Sequence, residues 1–252
     1  MLIKKALSIL RARHDNQRKK RAFLSNKPLS SLYSLYKNSP EGHWIIGKND
    51  AIALYDMVQK YQPMNILELG TGIGAAAAIM ALASDARAKI TTIEQFQKCV
   101  DIARNLTPQE LQKKINFIYA LPYAFRDNRT SEYQFFSGFK TLPLDKGPFD
   151  FLIIDGPGFW VENNRMVKLP NGDFIRLIPH LTTGAKIYID GRKHALTLYK
   201  RFLKPYFRIL EETKKYALLE RTPEPAASDA DLKIHDYELD SRLAHSNYFE
   251  GV

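Results

Sequence analysis

Asn65-Ile66-Leu67-Glu68-Leu69-Gly70-Thr71-Gly72-Ile73-Gly74 is the stretch that decides how this chain is read. An apolar run carries an acid at its end, three glycines then alternate with small or apolar residues, and an alanine-rich segment follows at once. That order reads as a strand, a tight turn and a helix N-terminus, with the turn open to a ligand. Glycine bends the backbone sharply and lets a ligand approach where a Cβ would stand in the way. Glu68 adds a carboxylate at the strand end, and a site built only for a pyrophosphate gains little from negative charge there.

Outward from this turn the chain alternates strand and helix. Periodicity predicts a helix over 50–60, capped by Asn49 or Asp50 and closed by Pro63. Strands follow at 66–69, 89–93, 115–119 and 149–154, with helices at 74–84 and 95–105 and a loosely patterned segment after 119. A helix at 173–181, a strand at 184–189, a helix at 193–203 and a closing pair of strands at 207–212 and 216–221 complete the pattern. This is an α/β chain with a Rossmann-like, doubly wound, mostly parallel seven-stranded sheet, one antiparallel strand and helices on both faces. Near-continuous apolar strands agree with burial on both sides.

The division expected along the chain is a basic N-terminal arm and helical extension over 1–48, the main α/β domain over 49–222, and a polar tail over 223–252. Of 252 residues, 45% are apolar, enough for a sizeable core. One cysteine, Cys99, rules out an internal disulfide framework and a cysteine-rich metal site. The six histidines show no paired metal-ligand spacing. The net charge of +10 is uneven: the first 27 residues carry nine Lys/Arg against Asp15 alone, which leaves +2 for the rest. Such an arm suits anionic lipid headgroups or nucleic acid, or simply a solvated helix packed on the domain. No signal peptide or membrane span is read in the chain, so a cytoplasmic protein is the expectation, with a peripheral membrane contact through residues 1–27 as an alternative to the solvated helix.

Ligands of open α/β sheets sit outside the carboxyl ends of the strands. Four acids fall at such ends: Glu68, Glu94, Asp155 and Asp190. Strand-end acids around a glycine turn point to a ligand rich in hydroxyls or bearing positive charge. Glu94 lies where nucleotide folds place a carboxylate on the sugar hydroxyls. A dinucleotide reading is weaker, because Ala75 and Ala76 follow Gly74 where a further glycine is usual, and no Lys-Ser/Thr follows for a P-loop.

Glu68–Gly74, Thr92-Ile93-Glu94 and Asp150-Phe151-Leu152-Ile153-Ile154-Asp155-Gly156-Pro157 together resemble the class I S-adenosylmethionine-dependent methyltransferases, over roughly residues 50–222. The resemblance implies S-adenosylmethionine as cofactor. It implies that the turn of Gly70, Thr71, Gly72 and Gly74 passes under the methionine part and that Glu68 orders that turn and the cofactor's amino group. Glu94 would take the ribose, Gln95 would lie against the adenine, and Ala120 stands where many members carry an adenine-binding Asp. Asp155 belongs to both the cofactor and the acceptor side. Asp155, Asp190, Arg192 and His194 follow the next two strands and could bind and deprotonate a hydroxyl. The pattern is similar to small-molecule and sugar O-methyltransferases. Relatives of the catechol type bind a divalent cation at the positions of Asp155 and Asp190, but their third ligand is Gly191 here, so no metal site is expected. Structural alternatives are an Asp190–Arg192 ion pair, a surface His194, and Trp44 and Trp160 as either pocket covers or core. The functional expectation is O-methylation of a small-molecule or glycan hydroxyl. The alternatives are an RNA methyltransferase docking through the basic arm, although the amino-methylating Asn-Pro-Pro-Tyr motif is missing, and a non-catalytic membrane- or partner-binding protein on the same fold. The acceptor and the oligomeric state are not readable.

Overall fold

A computed structural model of the chain describes residues 23–125, 136–157, 160–162, 165–167 and 169–223. In chain order the main elements are α1 (Lys27–Lys37), α2 (Lys48–Tyr61), β1 (Asn65–Leu69), α3 (Ala75–Ala83), β2 (Lys89–Glu94), α4 (Gln97–Leu106), α5 (Gln109–Gln112), β3 (Ile115–Tyr119), β4 (Pro122–Phe125), β5 (Phe136–Phe139), β6 (Phe149–Ile154), β7 (Trp160–Glu162), β8 (Arg165–Val167), α6 (Asp173–Leu177), β9 (Leu181–Asp190), α7 (Lys193–Phe202), β10 (Phe207–Glu212) and β11 (Tyr216–Arg221). The main sheet has seven strands in the order β10-β11-β9-β6-β1-β2-β3. Only β11 runs against the others, as the sequence predicts.

The strand order reverses at β1, whose neighbours are β2 on one side and β6 on the other. Register then sets the ends level. Leu69 pairs with Ile93 and with Ile154, and Ile154 pairs with Ile189. The next residues, Gly70, Glu94, Asp155 and Asp190, therefore leave the sheet along one edge. This is the crevice where open parallel sheets bind ligands.

Each face of the sheet carries its own core. Leu67, Leu69, Leu152, Ile154, Ile187 and Ile189 face α6 and α7. Ile66, Ile90, Phe151, Ile153 and Tyr188 face the helices α1 to α4. The Ala-rich α3 is buried almost all round, and small side chains let it lie close to the sheet and to its neighbours. α1 packs on the same core through Leu29, Leu32 and Tyr36, and the Tyr36 hydroxyl meets Thr107 Oγ1 at 2.7 Å. Among the described residues no helix is long and apolar enough to cross a membrane.

Some boundaries differ from the sequence reading, each for a local reason. α2 begins two residues earlier, at Lys48, capped by Gly47 rather than Asn49 or Asp50. A Cβ at 47 would stand 2.8 Å from the Asp50 carboxylate, so glycine leaves room for Asp50 to fold back over the first turn. α4 starts at Gln97 because the N–H groups of Gln95 and Phe96 turn into the Glu94 carboxylate (2.8 and 3.1 Å). The helix at 173 stops at Leu177, since Pro179 cannot donate the bond that would continue it, and β9 starts already at Leu181. The loosely patterned stretch after 119 contains the antiparallel pair β4 and β5.

Candidate functional site

The glycine turn is held by protein on every side. Gly70 and Thr71 donate to the Ile93 carbonyl (2.9 and 3.1 Å), and Asp155 N–H donates to Leu69 O at 2.8 Å. Gly70 has φ of 98°, and a Cβ there would lie 2.6 Å from Gly156 N; one on Gly156 would lie 2.6 Å from Gly70 Cα. The turns after β1 and β6 thus touch glycine to glycine. At Gly72 (φ 53°) a Cβ would meet the Trp44 carbonyl at 2.7 Å. These glycines are required by contacts within the chain, which sharpens the sequence reading of a turn kept clear for a ligand.

Glu94 closes this turn. One carboxylate oxygen accepts from Gly72 N–H at 2.8 Å and the other from Gln95 and Phe96 N–H. The group is buried, and burial raises its pKa even against these donors. Glu68 is 1% exposed and takes a 2.5 Å bond from Thr92 Oγ1, which in turn meets Thr71 Oγ1 at 2.5 Å. Burial is the main cause that pushes the Glu68 carboxyl up to about 8; the Thr92 bond opposes it, and Asp155 and Glu94 add to it. Burial thus favours the neutral form of the Glu68 carboxyl, and a cation beside it would favour ionisation.

At the other end, Asp155 and Arg192 face each other: Arg192 Nη2 lies 3.4 Å from Asp155 Oδ1, and Nη1 donates to Pro157 O at 3.2 Å. Arg192 thus pairs with Asp155 rather than with Asp190, the partner in the structural alternative, because the β6 turn lies directly across from the β9 end. Half of the Asp155 side chain is open to the cleft, yet the protein around it pushes its carboxyl up to about 7, with Arg192 opposing and Asp190 and Glu94 adding. Asp190 is raised by burial and by Asp50, against Arg192 and Lys215.

The turn after Asp155 is held from a distance. Asn171, fully buried, donates through Nδ2 to Gly156 O at 2.6 Å and accepts from Asp173 N–H at 2.9 Å. Tyr199 OH donates to Asn171 O at 2.6 Å. Asp173, buried and pushed up to about 6 by that burial, pairs with Arg176 at 2.9 Å and accepts from Phe139 N–H. Sequence reading misses Asn171: nothing in Asn171-Gly172-Asp173 shows that it reaches Gly156.

These groups line one cleft of about 320 Å³ above the strand ends. Its lining includes Glu68, Gly70, Thr71, Gly72, Glu94, Gln95, Asp155, Asp190 and Arg192. Gly74 and Ala120 are not in that lining: Gly74 caps α3 against Ala103, and Ala120 is buried in the core. The side chains of His194 and Trp160 lie outside the described residues. Trp44 is half exposed, and Trp44 to Gly47 roof the cleft. Tyr188, buried beneath Asp190, also lines it.

Among the described residues the cleft sets four carboxyls against Arg192 as its one lining Lys or Arg. With the buried backbone turn and a mixed polar and apolar wall, it suits a ligand with a cationic centre and hydroxyls. A divalent cation between Asp155 and Asp190 does not fit these residues. The Arg192 guanidinium already stands against Asp155, and Gly191, after Asp190, brings no side-chain oxygen or nitrogen to a metal.

No family model matches the chain, and no curated protein matches its sequence. Solved structures share its fold. An O-methyltransferase from Bacillus cereus in complex with S-adenosylhomocysteine (SAH) is 16% identical, with a TM-score of 0.54 over 77% of this chain and 90% of that one. An SAH-bound methyltransferase from Podospora anserina is 15% identical, with a TM-score of 0.55 over 83% and 96%. The O-methyltransferase TomG from Streptomyces achromogenes, involved in tomaymycin synthesis and in complex with SAM, is 13% identical, with a TM-score of 0.50 over 79% and 91%.

Proposed function

We propose that the chain is a class I S-adenosylmethionine-dependent methyltransferase that methylates a hydroxyl of a small-molecule or glycan-type acceptor. The observation that carries this reading is the register that brings Glu68, Glu94, Asp155 and Asp190 out along one edge, around a glycine turn, into a single cleft. The shared fold of O-methyltransferases solved with SAH or SAM supports it.

In this reading Glu94 accepts from the ribose hydroxyls while still holding the turn, and Gln95 lies beside the adenine. Gly70, Thr71 and Gly72 border the methionine part, with Gly74 and Ala120 supporting from behind. Glu68 ionises against the cofactor's amino group. When bound, S-adenosylmethionine supplies an electrophilic methyl group on a sulfonium. Asp155 sits at the acceptor end and takes the proton of the attacking hydroxyl, a task suited to a carboxyl pushed up to about 7. Arg192 orients Asp155, Asp190 borders the acceptor, and His194 stands at the start of α7 as a second proton carrier. The setting is cytoplasmic, with the basic arm as a peripheral membrane contact.

Transfer of a tritiated methyl group from S-adenosylmethionine to a panel of hydroxylated aromatics and sugars tests the reading. Ether-linked methyl in product, lost in Asp155→Asn, is the expected result. Transfer to RNA in preference to every small hydroxyl compound would contradict it.

A further inference from the structure

The methyltransferase reading leaves one large concavity unused. A groove of about 650 Å³ lies between α7 and the turn joining β10 to β11, on the other side of the β9 end from the acid-lined cleft. Among the described residues four cations line it, Arg192, Lys200, Lys214 and Lys215, against a single acid, Glu212. In a chain whose charge outside the first 27 residues is only +2, that is a local concentration of positive charge.

The groove and the cleft share Arg192 as a wall. Its two terminal nitrogens are engaged with Pro157 and Asp155, but its Nε is buried with no partner among the described residues. Buried donors without partners are rare and ask for a ligand or a water. The turn that carries Lys214 and Lys215 is held in place. Gly191 N–H bonds Lys215 O, and Thr213 Oγ1 accepts from the Lys215 and Tyr216 N–H groups (3.1 and 3.0 Å), which fixes the turn against the β9 end. Lys215 reaches Asp50 only at 3.7 Å, Lys214 pairs with no described acid, and Lys200 is bonded to Glu212 at 2.6 and 2.8 Å. Cations carried on a fixed turn and on α7, on one side of a site whose other side is acidic, sort a ligand by charge.

We infer that the acceptor carries an anionic oxygen group, a phosphate or a carboxylate, which this groove binds while the acceptor's hydroxyl reaches past Arg192 to Asp155. The word acceptor rests on the methyltransferase reading; the anion site stands on the groove alone.

The test is a calorimetric titration of the full chain with inorganic phosphate, then acetate, at constant ionic strength set with chloride, with and without SAH. Saturable phosphate binding about tenfold tighter than chloride is expected in both forms. Lys200→Gln/Lys214→Gln should weaken it about tenfold, and Glu212→Gln, which removes the one acid, should strengthen it severalfold. SAH affinity should be unchanged in all three proteins. The order of phosphate and acetate separates the two anion sources. Phosphate no tighter than chloride, or equal affinity in the double lysine variant and wild type, overturns the inference. Phosphate binding without SAH binding would keep the groove and discard the methyltransferase reading; SAH binding without phosphate binding would do the reverse.

Discussion

The two ends of the cleft do the same job, holding a carboxylate above a strand end, by opposite means. At the β1–β2 end, Glu94 bonds the N–H groups of the residues just after it and of a turn 22 positions earlier, and Glu68 is tied through Thr92 to Thr71. Every partner lies within one strand-turn-helix unit and its neighbour strand. At the β6–β9 end, the Asp155 turn depends on Asn171, on Tyr199 behind it, and on Arg192, which is 37 positions away. The first end is a local motif. The second is assembled by the tertiary fold, and in the proposed function it is the end that meets the acceptor.

The contact between the ends is the strongest place to break them. Gly156→Ala puts a Cβ 2.6 Å from Gly70 Cα, backbone against backbone. A loss on the order of 3 kcal/mol or more in urea unfolding is expected, because neither turn can yield without the other. A loss under about 0.5 kcal/mol would mean the turns are not coupled.

Glu68 sharpens the first end. Its carboxyl ionises at about 8 in the folded chain and at the usual 4.5 when unfolded. Between those values the folded state holds a proton the unfolded state has lost, so its burial lowers stability as pH rises through that window and no further above it. Glu68→Gln should therefore gain on wild type between pH 5 and pH 8, by a few kcal/mol at most. Urea midpoints at pH 5, 6.5 and 8 check it, and a gap that shrinks with pH contradicts it.

Asp155 sharpens the second end. Wild-type methyl transfer should rise as pH passes through about 7, where the carboxyl becomes free to take a proton. Asp155→Asn should lower the rate about 100-fold and flatten that limb, with little change in SAH affinity. The smallest effect is expected from Asn171→Ala, which strips the Gly156 carbonyl of its buried donor for about 1–3 kcal/mol. It should reduce transfer more than SAH binding; equal losses of both would erase the distinction between the ends.

How much was legible follows the same division. Glu68, the glycine turn and Glu94 could be read because their chemistry is written in short spacings, and the closing strands at 207–212 and 216–221 match β10 and β11 residue for residue. The purpose of the glycines could not, since Gly156 and Trp44 reach them from afar. Asp155 and Arg192 stand out in the sequence as site residues, but their pairing depends on which strand lies beside which. Asn171, Tyr188 and the lysines of the β10–β11 turn carry no local pattern at all.

The proposed methyltransferase reading puts an S-adenosyl site at the β1–β2 end, closed by Glu94. Calorimetric titration of SAH into wild type and Glu94→Ala measures it directly. Binding in the micromolar range by wild type, weakened about 100-fold in the variant, is the result expected from losing a charged group that holds both turn and ribose. No binding of SAH or S-adenosylmethionine below millimolar concentration, or undiminished affinity in Glu94→Ala, would contradict it.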